Sequence, residues 1–223
     1  MGNTLVTYAP GAVTNGTHDD LMGVWPGTAV TGFYPPGTDA DGPNAIYAAG
    51  YNTNTAVPMA AQGGLTTAYN TAAGRAATAT VAGDLSQVSL PGYPTGTLPP
   101  GVYKSTSTLS IMAGNLTLDG LGNKKSVFIF QVASSFTTTF NGGASGNVIL
   151  TNGASACNIY WQVGSSATLG GATFYGDIFA YSSVTLNAPS FTGRALAGGS
   201  ALGTGAVSIP VAGGSLVTNP GGK

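Results

Sequence analysis

Hydroxyl-bearing side chains recur between pairs of apolar residues along the second half of the chain. Thr168, Thr185 and Ser208 each have an apolar residue on both sides. In a β-strand this alternation puts the apolar residues on one face and the hydroxyl group on the other. A hydroxyl group donates one hydrogen bond and accepts two, so rows of such groups could bind water or a polar surface without covalent chemistry. The spacing predicts two rows. Row A contains Asn115, Thr117, Thr173, Ser190 and Thr192. Row B contains Thr108, Thr137, Thr168, Thr185 and Ser208.

Residues suited to acid–base or metal chemistry are scarce and scattered. Asp and Glu together number 7, all of them Asp, and the one histidine is His18. A metal site needs several ligands at defined spacing, and glycoside hydrolysis needs two facing carboxyl groups. Neither pattern is present in the sequence. We therefore predict a protein that is not an enzyme and has no catalytic residue, no metal and no cofactor.

Charge is unusually low. Charged residues make up 6% of the 223 residues and the formal net charge is −1, against roughly 25% charged residues in an average soluble domain. This composition argues against a nucleic-acid partner and against a basic membrane-binding patch. Hydrophobic residues at 43% are sufficient for a folded core. We expect one domain over residues 1–223 that acts as a monomer.

Internal repeats organise the second half of the chain. Two repeats are visible, with offsets of 31 and 17 residues. Their copies are residues 128–137 with 159–168, and residues 165–169 with 182–186. Residues 105–109 fit the same pattern, and residues 206–209 form a last partial copy. Because the copies keep residue types in place at irregular spacings, they favour parallel stacked coils over an antiparallel sandwich. The predicted fold class is therefore all-β dominated, a parallel β-solenoid with variable insertions.

One segment departs from the β pattern. Apolar residues follow helical spacing from about 57 to 73, which predicts a helix with one buried face. That face would contain Ala61, Leu65, Ala68 or Tyr69, and Ala72. Asn54 or Thr55 is the expected N-cap and Gly74 the expected stop. The polar stretch at about 38–55 predicts a loop or a small capping insertion.

Several segments resemble the microbial ice-binding protein family that has a discontinuous β-solenoid. They are residues 26–33 with 35–37, 65–75, 100–105, 127–131 and 152–164, and they occur in family order over roughly residues 12–210. The resemblance implies a right-handed, roughly triangular β-solenoid with one long α-helix packed along its side. It also implies secretion and adsorption to an ice crystal surface, with thermal hysteresis and inhibition of ice recrystallisation.

The resemblance also bears on which residues would contact ice. In that family one flat face binds ice, often with a pattern of Thr, Ala or Gly, any residue, then Thr or Asn. Residues 28–31 match this pattern in full, which adds Thr28 and Thr31 to row A. The alternative is that these two residues serve the geometry of a turn after Pro26 and Gly27. The resemblance favours row A and leaves row B as the alternative. Strands about 4.7–4.9 Å apart and outward residues about 6.5–7 Å apart along a strand would form a grid close to repeats of the ice lattice.

The residue types also allow a different function. A surface adhesin or carbohydrate-binding solenoid would use aromatic side chains to stack on sugars. The candidates are Trp25, Tyr160, Trp161 and Tyr175. Trp161 lies within an apolar repeat, which favours a position in the core for that side chain.

Overall fold

Stacked parallel strands form three sides around an apolar interior. The computed structural model describes residues 5–8, 22–27, 29–31, 46–47, 55–139, 144–188, 190–199, 205–209 and 216–218. Every strand pair within these residues is parallel. The chain is therefore a parallel β-solenoid, as the repeats predicted. That residues 1–223 form a single domain stays a prediction.

One side is an eight-stranded sheet. In stacking order its strands are β6 (Gly83–Asp84), β9 (Leu109–Ile111), β12 (Phe136–Thr138), β15 (Ala167–Leu169), β18 (Val184–Leu186), β21 (Ala206–Ile209), β1 (Leu5–Tyr8) and β3 (Ala29–Thr31). The N-terminal strands β1 and β3 thus lie beyond the last coil, which makes the solenoid discontinuous in sequence.

The other two sides are a six-stranded sheet and a pair of three-stranded sheets. The six-stranded sheet, here the helix-side sheet, contains β5 (Ala79–Thr80), β8 (Gly101–Ser105), β11 (Phe128–Val132), β14 (Ile159–Val163), β17 (Asp177–Ala180) and β20 (Ala195–Ala197). The third side contains β7 (Thr97–Leu98), β10 (Leu116–Asp119) and β13 (Val148–Thr151), and separately β16 (Thr173–Tyr175), β19 (Ser190–Thr192) and β22 (Leu216–Thr218). Strands β2 (Met22–Gly23) and β4 (Ile46–Tyr47) form a small separate pair.

The strand register confirms the two sequence repeats. β11 pairs with β14 from Phe128 opposite Ile159 to Val132 opposite Val163, as the offset of 31 predicted. Phe174 lies opposite Phe191, as the offset of 17 predicted. These matches hold because bulky side chains at equivalent positions stack between coils in one continuous core.

Residues 105–109 were aligned incorrectly. Leu109 lies opposite Phe136, so Ser110 and not Thr108 lies opposite Thr137. Leu109 and Ile111 are both buried, and either could match an inward residue of the later copies. A slip of two residues keeps the same face of a strand, because side chains alternate with a period of two. The repeat therefore predicted the correct face and the wrong position along the strand.

Aromatic side chains stack through the core between successive coils. Trp161 is fully buried, with its ring centroid 3.9 Å from that of Phe130 and 4.7 Å from that of Phe136. Tyr103 stacks on the other face of Phe130 at 5.4 Å. The Trp161 Nε1–H donates to the Tyr175 carbonyl at 3.0 Å, so its polar group is satisfied. This position confirms that Trp161 belongs to the core.

The single α-helix of the described residues, α1 (Ala56–Ala73), packs along the helix-side sheet. Two short 3-10 helices, Leu85–Gln87 and Ala156–Asn158, lie in connections between strands. The bounds of α1 agree with the prediction to within one residue at the N-terminus. Its buried residues are Pro58, Leu65 and Ala72, which pack seven residues apart along one stripe. Ala61 is exposed, which corrects its predicted place in the buried face. Thr55 is the N-cap, but its side chain makes no capping hydrogen bond.

A glutamine from the sheet caps the C-terminal end of α1. The Gln131 side chain, 4% exposed on β11, donates through Nε2 to the carbonyl groups of Ala72, Ala73 and Arg75 at 2.7–3.2 Å. The last carbonyl groups of a helix have no partner within the helix. Gln131 therefore fixes the position of α1 along the solenoid, which local capping signals could not predict.

One further prediction concerns a segment that is only partly described. The predicted loop at about 38–55 lies mostly outside the described residues, although it contains the short strand β4. No described helix is long and apolar enough to cross a membrane.

Candidate functional site

Five outward hydroxyl groups align across neighbouring strands of the eight-stranded sheet. Successive strand pairs place them directly opposite one another, and all five side chains are half-buried. We call this set the central column: Ser110, Thr137, Thr168, Thr185 and Ser208. Each of these residues is flanked by inward residues that are buried or partly buried, so the hydroxyl groups point away from the core. Adjacent members are about 4.8 Å apart, the usual distance between hydrogen-bonded strands.

The central column contains four of the five residues of row B. Thr137, Thr168, Thr185 and Ser208 are brought together as predicted, and Ser110 replaces Thr108. Ser110 could have been found in the sequence, because it lies between two apolar residues like the other members. The strand register also continues the column to positions 7 and 31, since Thr7 lies opposite both Ser208 and Thr31.

A second column of small hydroxyl residues lies two residues earlier, immediately before the same strands. The backbone N–H groups of Leu109, Phe136 and Ala167 donate to carbonyl groups of the next coil. These hydrogen bonds align the members of the second column. These members are Thr108, Ser135, Ser166 and Ser183. The hydroxyl groups of Ser166 and Ser183 are hydrogen-bonded to each other at 2.9 Å. The sheet therefore presents hydroxyl groups in two directions, about 6.5–7 Å apart along the strands.

Charge is confined to one end of this sheet. Within the eight strands of this sheet, Asp84 on β6 is the only charged residue, and it lies opposite Ser110. Its carboxylate accepts hydrogen bonds from the Ser86 N–H and hydroxyl groups and from the backbone N–H groups of Met112 and Ala113, at 2.7–3.2 Å. Burial raises the pKa of Asp84, but these hydrogen bonds outweigh it, so the net pKa is lowered.

The side chain of Asn115, in row A, makes hydrogen bonds between coils. Its Oδ1 accepts hydrogen bonds from the backbone N–H and the side-chain Nδ2 of Asn147, at 3.1 and 2.9 Å. The Asn147 Oδ1 in turn accepts from the Thr173 N–H at 2.9 Å. The amide groups of these two asparagines thus connect three successive coils at a corner of the solenoid.

The remaining residues of row A divide between separate sheets. Thr117 lies on β10 opposite Thr97 and the exposed Ile149, whereas Thr173 lies opposite Ser190 on β16 and β19. Thr192 lies opposite Tyr175. The two parts of the third side are joined at the Asn147–Thr173 hydrogen bond but not by strand pairing, so no unbroken strand ladder links Thr117 with Thr173.

Of the two N-terminal residues added to row A, the structure describes Thr31, which is not on this side. Thr31 is in β3, where its backbone pairs with Thr7 in the eight-stranded sheet. Thr28 lies outside the described residues. No local pattern indicates this placement, because β3 joins the sheet through β1, and β1 pairs with β21 near the other end of the chain.

The aromatic residues proposed for sugar stacking are not brought together. Trp161 is fully buried, and Tyr160 packs beside the helix with Phe179, at a centroid distance of 6.0 Å. Tyr175 lies on the third side. Among the described residues no group of three His, Cys, Asp or Glu side chains could hold a metal ion. His18 lies outside that part of the chain.

Known proteins similar to this chain share its fold over nearly its whole length. A crystal structure of an ice-binding protein from an Antarctic biological consortium matches with a TM-score of 0.73 and 34% identity, covering 97% of this chain and 85% of that one. The ice-binding protein of the Antarctic ascomycete Antarctomyces psychrotrophicus matches with a TM-score of 0.67 and 28% identity, covering 99% and 93%.

Relatives found by sequence carry the same description. The ice-binding protein of Nostoc sp. (strain HG1) is 37% identical over 186 residues, which are 83% of this chain and 59% of that protein. The ice-binding protein of Leucosporidium sp. (strain AY30) is 38% identical over 154 residues, 68% of this chain and 54% of that protein. The chain thus spans somewhat more than half the length of these two relatives. The model of the family described as Ice-binding-like matches residues 1–209, and the chain belongs to this family.

Proposed function

We propose that this chain adsorbs to ice through the central column of the eight-stranded sheet, and thereby slows ice growth and inhibits recrystallisation. The observation that carries the proposal is the in-register alignment of Ser110, Thr137, Thr168, Thr185 and Ser208 on a sheet whose only charged residue is at its end. Family membership supports ice as the partner. The break in strand pairing between the two parts of the third side supports the eight-stranded sheet, whose strands pair without a break.

The physical basis of adsorption is collective. A single hydrogen bond to ice adds little net free energy, because liquid water competes for the same hydroxyl group. A regular array of threonine methyl and hydroxyl groups can instead hold the first layer of water in an arrangement that merges with the crystal. Charged side chains would oppose this by holding their own hydration shells. Low charge on the sheet is therefore part of the proposed site.

The proposal includes an extracellular location and action as a monomer. Ice that damages or confines a cell grows outside it, so an exported protein would meet its ligand there. A single surface of aligned hydroxyl groups needs no second copy to complete it. Size-exclusion chromatography with light scattering would test the monomer, and fractionation of the producing cells would test the location.

Thermal hysteresis on a cooling stage tests the function. We expect the wild-type protein to open a gap between melting and freezing temperatures and to shape the crystals. The variant Thr168→Tyr, which puts a bulky ring in the middle of the column, should lose most of this gap while its circular dichroism spectrum is unchanged. A folded wild-type protein without a gap would contradict the proposed function.

A further inference from the structure

The described N-terminal residues 5–8, 22–27 and 29–31, here the N-terminal segment, lie at the end of the solenoid, next to the proposed ice surface. β1 pairs with β21 of the last coil, and β3 pairs with β1. Val24, between β2 and β3, is 3% exposed and belongs to the main core cluster. By register, positions 7 and 31 therefore extend the central column by two strands beyond Ser208.

A glutamine of the helix connects this segment to the last coil. The Gln62 Nε2 donates to the Trp25 carbonyl at 3.4 Å and to the Ala197 carbonyl at 3.3 Å. Trp25 lies in the N-terminal segment, whereas Ala197 ends β20 of the last coil. One side-chain amide therefore contacts both sides of the junction between the two ends of the chain.

The surroundings of Gln62 indicate that the role of its side-chain amide is to make these two hydrogen bonds. Its Oε1 is buried and has no hydrogen-bond partner within the described part of the chain. An unsatisfied buried acceptor destabilises the folded state, and an apolar side chain of similar size would avoid that cost. Both carbonyl groups would then lose their donor, and the N-terminal segment would lose a contact with the helix.

We infer that Gln62 is a positioning residue for the ice surface, holding the N-terminal segment so that β1 and β3 extend the central column. This inference rests on the proposed function. Gln62 itself contacts no ice. Its effect on ice is exerted through the placement of positions 7 and 31, which are two of the seven Ser or Thr positions in the described column.

A double-mutant cycle with thermal hysteresis as the readout tests the inference. Thr31→Tyr should lower the freezing gap in the wild-type background, because position 31 is part of the surface. Gln62→Leu should also lower it, and should speed amide hydrogen exchange at residues 5–8 and 29–31. In the Gln62→Leu background, Thr31→Tyr should add little, because the strand is already displaced. This lack of additivity would not follow from a purely structural role.

Controls keep this inference separable from the function itself. Thr71→Leu, at an exposed position of the same helix, should keep the wild-type gap. If Thr168→Tyr removes activity while Thr31→Tyr and Gln62→Leu both keep it in full, the inference is overturned and the proposed function stands. If Gln62→Leu does not fold, Thr31→Tyr alone decides, since full activity in that variant excludes β3 from the surface. A folded but inactive wild-type protein would overturn both.

Discussion

Single side chains decide whether a polar group faces solvent or joins two coils. Thr168 points outward between buried Ala167 and Leu169 and is available to water. Asn115 has a longer side chain that ends in an amide, and its Oδ1 accepts two hydrogen bonds from Asn147 of the next coil. The sequence pattern of row A treated these residue types as equivalent, although only threonine and serine hydroxyl groups lie in the central column.

At the same scale, Asp84 predicts how stability depends on pH. Because hydrogen bonds lower its pKa in the folded state, its ionised form stabilises the fold above the ordinary pKa of aspartate. That contribution is lost as pH falls through the lowered value. We expect the free energy of unfolding of the wild-type protein to decrease as pH is lowered below about 4, as measured by urea denaturation.

The variant Asp84→Asn checks that assignment. It should be less stable than wild type by about 1–2 kcal/mol at neutral pH and should depend less on pH in the acid range. Asp119→Asn is a matched control, since Asp119 accepts one hydrogen bond, from the Leu121 N–H at 2.9 Å. Equal effects of the two substitutions would contradict a special role for Asp84.

At the scale of elements, the helix is held in place by a side chain of the sheet. Gln131 donates to three carbonyl groups at the end of α1 while being almost fully buried. We expect Gln131→Leu to lower the free energy of unfolding by about 1–3 kcal/mol and to speed amide exchange in the last turn of α1. Gln87→Leu, at an exposed position, should have little effect. Unchanged protection of the last turn in Gln131→Leu would contradict the capping role.

The elements also explain what could be predicted from the sequence. The offset of 31 gave the correct pairing of β11 with β14, because Phe130 and Trp161 are bulky residues that must stack. The register of β9 was missed by two residues, since both Leu109 and Ile111 fit an inward position. The pairing of β1 with β21 joins the two ends of the chain, and no local pattern carries information on such a contact.

At the scale of the whole molecule, the charges of the described residues lie away from the proposed ice surface, except for Asp84 at the end of the sheet, opposite Ser110. The exposed Lys104 is on the helix-side sheet. The Arg194–Asp177 ion pair lies where strands β17 and β20 of that sheet begin. The five hydroxyl groups of the central column do not titrate near neutral pH. Because the pKa of Asp84 is lowered, that residue does not titrate near neutral pH either, and the proposed site keeps one protonation state in that range.

The consequence is a flat pH profile for activity. We expect thermal hysteresis of the wild-type protein to be constant between about pH 5 and 9, a range in which aspartate stays ionised and threonine stays neutral. Burial also raises the pKa of Tyr69, Tyr103 and Tyr160, which keeps their side chains neutral there. A steep change in the freezing gap within this range, in protein that stays folded, would indicate a titrating group in the ice surface.

The central claim is that the eight-stranded sheet, and not the third side, adsorbs to ice. The most direct measurement is the freezing gap of Thr168→Tyr and Thr173→Tyr at equal concentration, both checked for unchanged thermal unfolding. Both substitutions place the same ring at a half-buried outward strand position. The account predicts that Thr168→Tyr loses the gap and Thr173→Tyr keeps it. Loss in Thr173→Tyr with full activity in Thr168→Tyr would contradict it and would move the ice surface to the third side.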